Sequence, residues 1–318
     1  MLVRRLAAGV VTLFVASILI FGAVNVLPGD AASIVLGRNA TPEAVAKVRA
    51  DLGLDQTLPK RYGDWVSGIV TGDLGNSTIA VAENAQNPSV SGIIGTPLRN
   101  SLILAAITAL LLIPLSLGLG AWAAMRAGKP SDHAVSMISL AFSSMPEFLV
   151  GSLLVVVFFS WLGWLPPISQ VAPGGTPFDK PDILVLPVLT LFAVSAAFTV
   201  RQVRATTIDT LRQDYVAMAR LNGYKESRVI RRYAFRNALA PSVQTLAQTL
   251  QFLIGGIIIT EAVFAYPGIG NELVQAVSTR DVQLVSVISF LLAAAYILIN
   301  IIADVIVVLL VPKLRTQA

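Results

Sequence analysis

Six long apolar runs divide the chain. Residues 6–27 carry no charge and directly follow Arg4 and Arg5. A second uncharged run covers 101–125, with Pro114, Gly118 and Gly120 inside it. The third extends from 134 to about 167 and is interrupted at Pro146-Glu147, too long for one straight crossing. It reads as an interfacial start followed by a span ending near Leu162. The fourth, 183–200, is short, with Pro187 near its entry; the fifth covers 238–260, and the sixth has its core at 284–303 and extends to about 311. A bilayer core of about 30 Å needs roughly 20 apolar residues in a helix. The pattern therefore predicts an all-α membrane protein with six transmembrane helices. A cleaved signal peptide has the same charged-then-apolar opening as the first run. The length of that run, and the spans that follow, favour a retained first helix.

Two regions between the runs read as soluble. In residues 28–98, Thr41-Pro42 is an N-cap followed by an N1 proline, predicting a helix that stops at Gly53. A second helix, about 59–71, places Tyr62, Trp65, Val66 and Ile69 on one side, a stripe for the membrane surface or for neighbouring spans. The tip, 76–89, is polar and is expected to be mobile. The other region, 201–241, holds nine arginines and lysines together with Val216, Met218, Leu221, Val229, Ile230 and Phe235. It reads as short helices broken at Asn222-Gly223, where glycine can take the left-handed turn that ends a helix. Its mixture of charge and apolar side chains suits a docking surface. The chain thus divides into 1–27 (amino terminus and first span), 28–98 (external segment) and 99–318 (five-helix core with the loop 201–241).

Composition agrees with the pattern: 55% of the 318 residues are hydrophobic and 13% are charged, against about 25% charged in soluble domains. The net charge of +5 would suggest nucleic acid in a soluble protein. Here the basic residues lie beside the apolar runs, so they point to topology, membrane lipid and no nucleic acid. With the amino terminus inside, fifteen of the 23 lysines and arginines fall in segments on that side, and only Lys180 and Arg280 fall in the two short outer loops. The other six lie between Arg38 and Arg99, in or beside a segment too long to weigh heavily. Positive-inside asymmetry thus places both termini on the cytoplasmic side of the membrane.

The chain offers little for catalysis. It has no cysteine and a single histidine, His133. That removes disulfides, thiolate metal sites and cysteine nucleophiles, and no cofactor or metal is expected in this chain. Gly128-Lys129-Pro130-Ser131 fails as a phosphate loop, because Ala123 and Pro130 stand where a glycine and a hydroxyl are needed. Charged residues near the apolar runs remain candidates: Glu147, Glu261 and Asp304. Each has a plainer reading as an interfacial or packing residue. In the fifth run Gln244, Gln248 and Gln251 stand at i, i+4 and i+7, flanked by Thr245 and Thr249, with Gly255-Gly256 one turn on. Buried amides are unfavourable in lipid, so this face should either glue helices together or line a wet path. With Glu147 and Glu261 it supplies the candidate translocation-path residues.

The loop reads Asp214-Tyr215-Val216-Ala217-Met218-Ala219-Arg220-Leu221-Asn222-Gly223, then Arg236-Asn237-Ala238-Leu239-Ala240-Pro241. This resembles the EAA loop of permease subunits of bacterial ABC importers, and most closely their dipeptide/oligopeptide/nickel branch. Leu52-Gly53-Leu54-Asp55-Gln56, Gly72-Asp73-Leu74-Gly75, Leu162-Gly163-Trp164-Leu165-Pro166, Thr260-Glu261 and Tyr266-Pro267-Gly268-Ile269-Gly270 agree with it, in order, from Arg4 to Pro312. The resemblance implies a type I importer permease fold. It also implies two permease chains, two cytoplasmic ATPase subunits that bind ATP and Mg, and an extracytoplasmic substrate-binding protein. The permease itself is then no enzyme. The coupling segment would be Asp214, Tyr215, Ala219, Arg220, Leu221, Asn222, Gly223, Tyr224 and Lys225. Two positions depart from the family pattern. Ala217 replaces the loop glutamate, so no salt bridge to an ATPase is expected from it. Pro146-Glu147-Phe148 stands where Pro-Ser-Phe is common. Peptides are the expected substrate, with nickel or another small solute as the alternative. A secondary transporter is the reading from a different class; it would need internal repeats and a midplane charge pair, neither of which is visible.

Overall fold

The structure, a computed structural model, describes residues 2–26, 41–51, 53, 55–83, 85–172, 174–225, 228–230, 232 and 236–310. Parts of the sequence reading lie outside these residues: 28–40 of the expected external segment, Leu52 and Leu54, Phe235, and the segment beyond 310 with Pro312, Lys313 and Arg315. The chain builds α1 (Leu2–Val26), α2 (Pro42–Asp51), α3 (Leu58–Thr71), α4 (Thr78–Ala82), α5 (Val90–Met125) and α6 (Pro130–Ser143). Then follow α7 (Glu147–Val155), α8 (Asp182–Leu211), α9 (Asp214–Leu221), α10 (Arg236–Val263), α11 (Ile269–Thr279) and α12 (Val282–Leu310).

Among the described residues five helices are long and apolar enough to cross a membrane: Arg4–Asn25, Val90–Met125, Asp182–Leu211, Gln244–Val263 and Val282–Ile306. The third apolar run forms a broken pair, Pro130–Ser143 and Glu147–Trp161, bent by 104°. Pro146 explains the break. It has no N–H to donate, and its ring disfavours the helical conformation at Met145. Beyond α7 the helix loosens into a π turn, Val156–Trp161. Counting the bent pair as one crossing gives six.

Several boundaries differ from the sequence reading. α5 begins at Val90, ahead of the uncharged run, because Pro97 and Arg99 are carried within the helix. α8 does not stop at Val200 but continues to Leu211, so the first part of the loop 201–241 is an extension of a span. The polar tip 76–89 is anchored, contrary to the expected mobility. Asn76 pairs with Ser89 in an isolated β-bridge, and Ser77 and Thr78 are buried. The buried Asp281 carboxylate accepts from the Ser77 hydroxyl and from the N–H groups of Thr78 at 3.1 Å and Leu284 at 3.0 Å. One carboxylate thus caps α4 and α12 together.

α8 is the central helix, packed by α5, α6, α7 and α10. Of its most apolar stretch 72% is buried, against 11% for α1 and 17% for α12. A core of Leu104, Leu112, Leu191, Leu253, Ile257 and Tyr266 joins α5, α8 and α10. α1 packs on α12, and α12 on α10. Arg5 pairs with Asp304 across α1 and α12. The stripe on α3 rests on spans: Phe21 meets Tyr62 and Trp65 at ring centroids of 5.5 and 5.6 Å, and Trp65 meets Phe290 at 5.6 Å.

α5 and α8 approach each other closely at Gly120. A Cβ there would stand 2.7 Å from the Val203 Cβ and 2.9 Å from the Val200 carbonyl oxygen. Backbone lies on one side of that contact, so the neighbours cannot rotate away. Gly120→Leu is expected to destabilise the purified protein by about 2 kcal/mol or more, read as a fall in its thermal unfolding midpoint. Gly118→Leu, where a Cβ meets nothing within 4 Å, should leave the midpoint unchanged.

Candidate functional site

The loop region is a small folded unit. Gln213 takes the extended backbone of an N-cap, and Asp214 places its charge in the first turn of α9, where the helix dipole favours it. The helix ends in a Schellman motif: Gly223 N–H donates to the Arg220 carbonyl at 2.9 Å and Tyr224 N–H to Ala219 at 3.3 Å. Gly223 has φ +77°, which a side chain would strain. Val216 and Ala219 are buried against Val229 and Leu211. The Arg228 guanidinium lies 5.7 Å from the Tyr224 ring centroid. The other face is open: Tyr215, Met218 and Tyr224 are exposed, and Leu221 is 82% exposed. Asp214, Ala217, Arg220, Asn222, Gly223 and Lys225 are exposed as well. All nine coupling candidates therefore lie in one helix–turn unit, with an apolar side chain at its tip.

This unit hangs from α8, whose adjoining turns are fixed by an ion pair that the sequence reading missed. Arg204 donates to both oxygens of the buried Asp132, at 2.5 and 2.7 Å, and Gly128 N–H donates to the same carboxylate at 2.9 Å. Asp132 stands in the first turn of α6, so the pair ties α6 rigidly to α8. A lone Asp after a Gly-Lys-Pro turn offered no sign of a partner 72 positions away.

The glutamine face divides. Gln244 and Gln248 are exposed, whereas Gln251 is buried. The flanking threonines do the packing: Thr249 and Thr199 share a hydrogen bond of 2.7 Å between α10 and α8. Within this chain the contact between α10 and α8 is therefore made by Thr249 and not by the exposed Gln244 or Gln248; Thr245 is buried as well. Glu147, in the first turn of α7, is buried and accepts from the Thr260 hydroxyl at 3.0 Å. Gly256 lets α10 approach it, since a Cβ there would stand 2.5 Å from a carboxylate oxygen.

Glu261 sits inside the fold of this chain. It is fully buried and accepts from the Ser101 hydroxyl and from the N–H groups of Gly270 at 2.7 Å and Asn271 at 3.2 Å. It therefore caps α11 from the end of α10. The turn between them is shaped around it: Tyr266 donates to the Asn100 carbonyl at 2.9 Å, Asn100 to the Pro267 carbonyl at 2.9 Å, and a Cβ on Gly268 would collide with the carboxylate. Within α11, burial and the nearby Asp281 push the Glu272 carboxyl above its ordinary value.

A helical, multi-pass chain with a short helix–turn unit slung between its two most central spans is the architecture of a transporter subunit. Residues 116–316 match the family described as binding-protein-dependent transport system inner membrane component, and residues 1–89 match its amino-terminal companion. The chain belongs to this family: it is an ABC-importer permease subunit with the type I fold, and a multi-pass inner-membrane component of a transport system. It is not itself the catalytic part, and the secondary-transporter alternative is set aside.

Particular relatives are similar along nearly their whole length. The chain is 34% identical over 313 residues to the glutathione transport system permease protein GsiC of Escherichia coli O6:H1 and 33% identical to that of strain K12. It is 33% identical over 317 residues to a putative peptide permease protein of Brucella ovis. In each case 98% of both chains is covered.

Proposed function

We propose that this chain forms half of the translocation path of an ATP-driven peptide importer and receives its drive through α9. The observation that carries this reading is the division of α9 into a buried base, Val216 and Ala219, and an exposed apolar tip, Leu221. A short helix that exposes a leucine beyond a glycine-terminated turn suits insertion into a groove of a partner. The ion pair between Asp132 and Arg204 would pass a push on α9 to α6 and α8 as a rigid-body displacement. The partners would be two ATPase subunits carrying ATP and Mg, a second homologous permease, and a substrate-binding protein outside the membrane. Arginine asymmetry supports a cytoplasmic position for α9 and both termini, with α2, α3 and α4 on the outer side. A peptide substrate is supported by the relatives, named for glutathione and for peptide transport.

Co-purification with the ATPase subunits tests the reading, followed by deletion of Leu221 to Lys225. The expected result is loss of ATPase association or of ATP-driven uptake, with membrane insertion intact; unchanged uptake would sink it. Gln244 and Gln248 are exposed on this chain, which suits a wet path lined jointly with the second permease. Gln248→Leu is therefore expected to lower ATP-driven peptide uptake severalfold while the importer still elutes as one assembly. Disassembly would instead assign the glutamine to the contact between subunits.

A further inference from the structure

A cavity of about 600 Å³ opens between α1, α10 and α12. That is within the range of about 300–1,000 Å³ typical of small-molecule sites. Its wall is mainly apolar, with Phe252, Ile259, Leu292 and Tyr296 among its residues. The Thr12 hydroxyl on its rim is already engaged by the Ala8 carbonyl at 2.8 Å. Two other polar groups are not fully used. Among the described residues the Glu147 carboxylate has one hydrogen bond, from Thr260, and no ion pair. A carboxylate has about four acceptor positions, and one enclosed among apolar side chains is stable only when neutralised. The Gln251 side-chain nitrogen is buried with no hydrogen-bond partner among the described residues, in a residue only 8% exposed. A buried donor left unsatisfied is unfavourable, so the site favours a ligand that brings an acceptor.

We propose that Glu147 and Gln251 bind the amino-terminal end of a short peptide. The Glu147 carboxylate takes the ammonium group, the Gln251 amide donates to a backbone carbonyl, and the apolar wall holds the side chains. This rests on the peptide reading above. The chemistry is complementary: an acceptor of negative charge and a neutral donor call for a cation followed by a carbonyl oxygen, and a free peptide amino terminus carries both. The spacing agrees. Glu147 lies against Gly256, five residues from Gln251, which is about 7.5 Å along a helix at 1.5 Å per residue. Two extended residues span about 7 Å. Gly256 belongs to the site because any side chain there would displace the carboxylate.

The test is equilibrium dialysis of radiolabelled leucyl-leucine against the purified permease–ATPase complex without its binding protein, with N-acetyl-leucyl-leucine as competitor. Saturable binding is expected. Glu147→Gln should weaken it about tenfold or more, as expected for loss of a charge-assisted pair, and Gln251→Leu severalfold; the acetylated dipeptide should compete poorly. The proposal is overturned if wild type shows no saturable binding, if Glu147→Gln binds as wild type, or if the acetylated dipeptide competes equally. Should Glu147→Gln fail to assemble with the ATPases, Gln251→Leu and the acetylated competitor decide alone. ATP-driven uptake by the full importer with its binding protein separates the two levels. Peptide uptake without binding at this site removes the site and leaves the peptide reading. No uptake of leucyl-leucine or of a mixed dipeptide pool removes the reading itself.

Discussion

Replacing Leu221 with aspartate is expected to abolish ATP-driven uptake while the membrane-embedded fold remains intact. The two halves of this expectation come from opposite faces of α9. Leu221 is 82% exposed, so its side chain contributes almost nothing to the packing of this chain, and a polar substitution at an exposed helix end alters stability by only a few tenths of a kcal/mol. In a partner's groove the leucine would instead be buried. Losing it forfeits about 1.5–3 kcal/mol of apolar burial, and seating an unpaired carboxylate in its place adds a further penalty. A total of about 3 kcal/mol is roughly a hundredfold in affinity. The measurement is paired: co-elution of the ATPase subunits, and uptake in proteoliposomes. Val216→Asp is the contrasting variant. Val216 is fully buried against Val229 and Leu211, so that change should unfold the loop unit and lower the thermal midpoint as well. Normal uptake by Leu221→Asp would remove α9 from the coupling route.

The same contrast between faces explains which features could be read from the sequence. Apolar runs located the spans because a bilayer demands length and apolarity of every crossing, and both are local properties. Gly223 announced the end of α9 because a left-handed residue after a helix is again a local demand, and the observed φ of +77° meets it. The polar anchors were not legible. Asp281 gathers Ser77 and Thr78 from 203 or more residues away, and Asp132 finds Arg204 across 72. Nothing in the spacing of such residues encodes the pairing, since tertiary packing brings the partners together. The tip 76–89 was expected to be mobile for that reason: its polarity is plain in the sequence, but the carboxylate that fixes it belongs to another helix. The glutamine face was half legible. Periodicity placed three amides on one side of α10, but could not tell that Thr249 makes the helix contact and that Gln244 and Gln248 stay open.

Glu261→Ala is expected to cause the largest loss of stability of any single change outside the apolar core. Its carboxylate satisfies the Ser101 hydroxyl and the N–H groups of Gly270 and Asn271 at once, in a fully buried position. Alanine would leave these donors buried and unpaired, each at about 1–3 kcal/mol, and would open a cavity beside Gly268. A sum above about 3 kcal/mol is a large share of the 5–15 kcal/mol that holds a typical domain together. Glu261→Gln should lose less. Its carbonyl oxygen can still accept from the Gly270 and Asn271 N–H groups, but its NH₂ group would stand where the carboxylate accepts from the Ser101 hydroxyl. Thermal unfolding of the purified protein, monitored by the fraction that remains monodisperse, should therefore rank wild type above Glu261→Gln above Glu261→Ala. A cycle with Ser101→Ala checks the cause. If Glu261 acts as the cap of α11, removing the serine hydroxyl should be more damaging in wild type than once Glu261 is gone, where only the Ile269 N–H, which donates to Ser101 at 2.7 Å, still loses its acceptor, because neighbours that share one network do not add. Equal midpoints for wild type and Glu261→Ala, with uptake alone impaired, would return Glu261 to the translocation path and overturn its role as a structural cap.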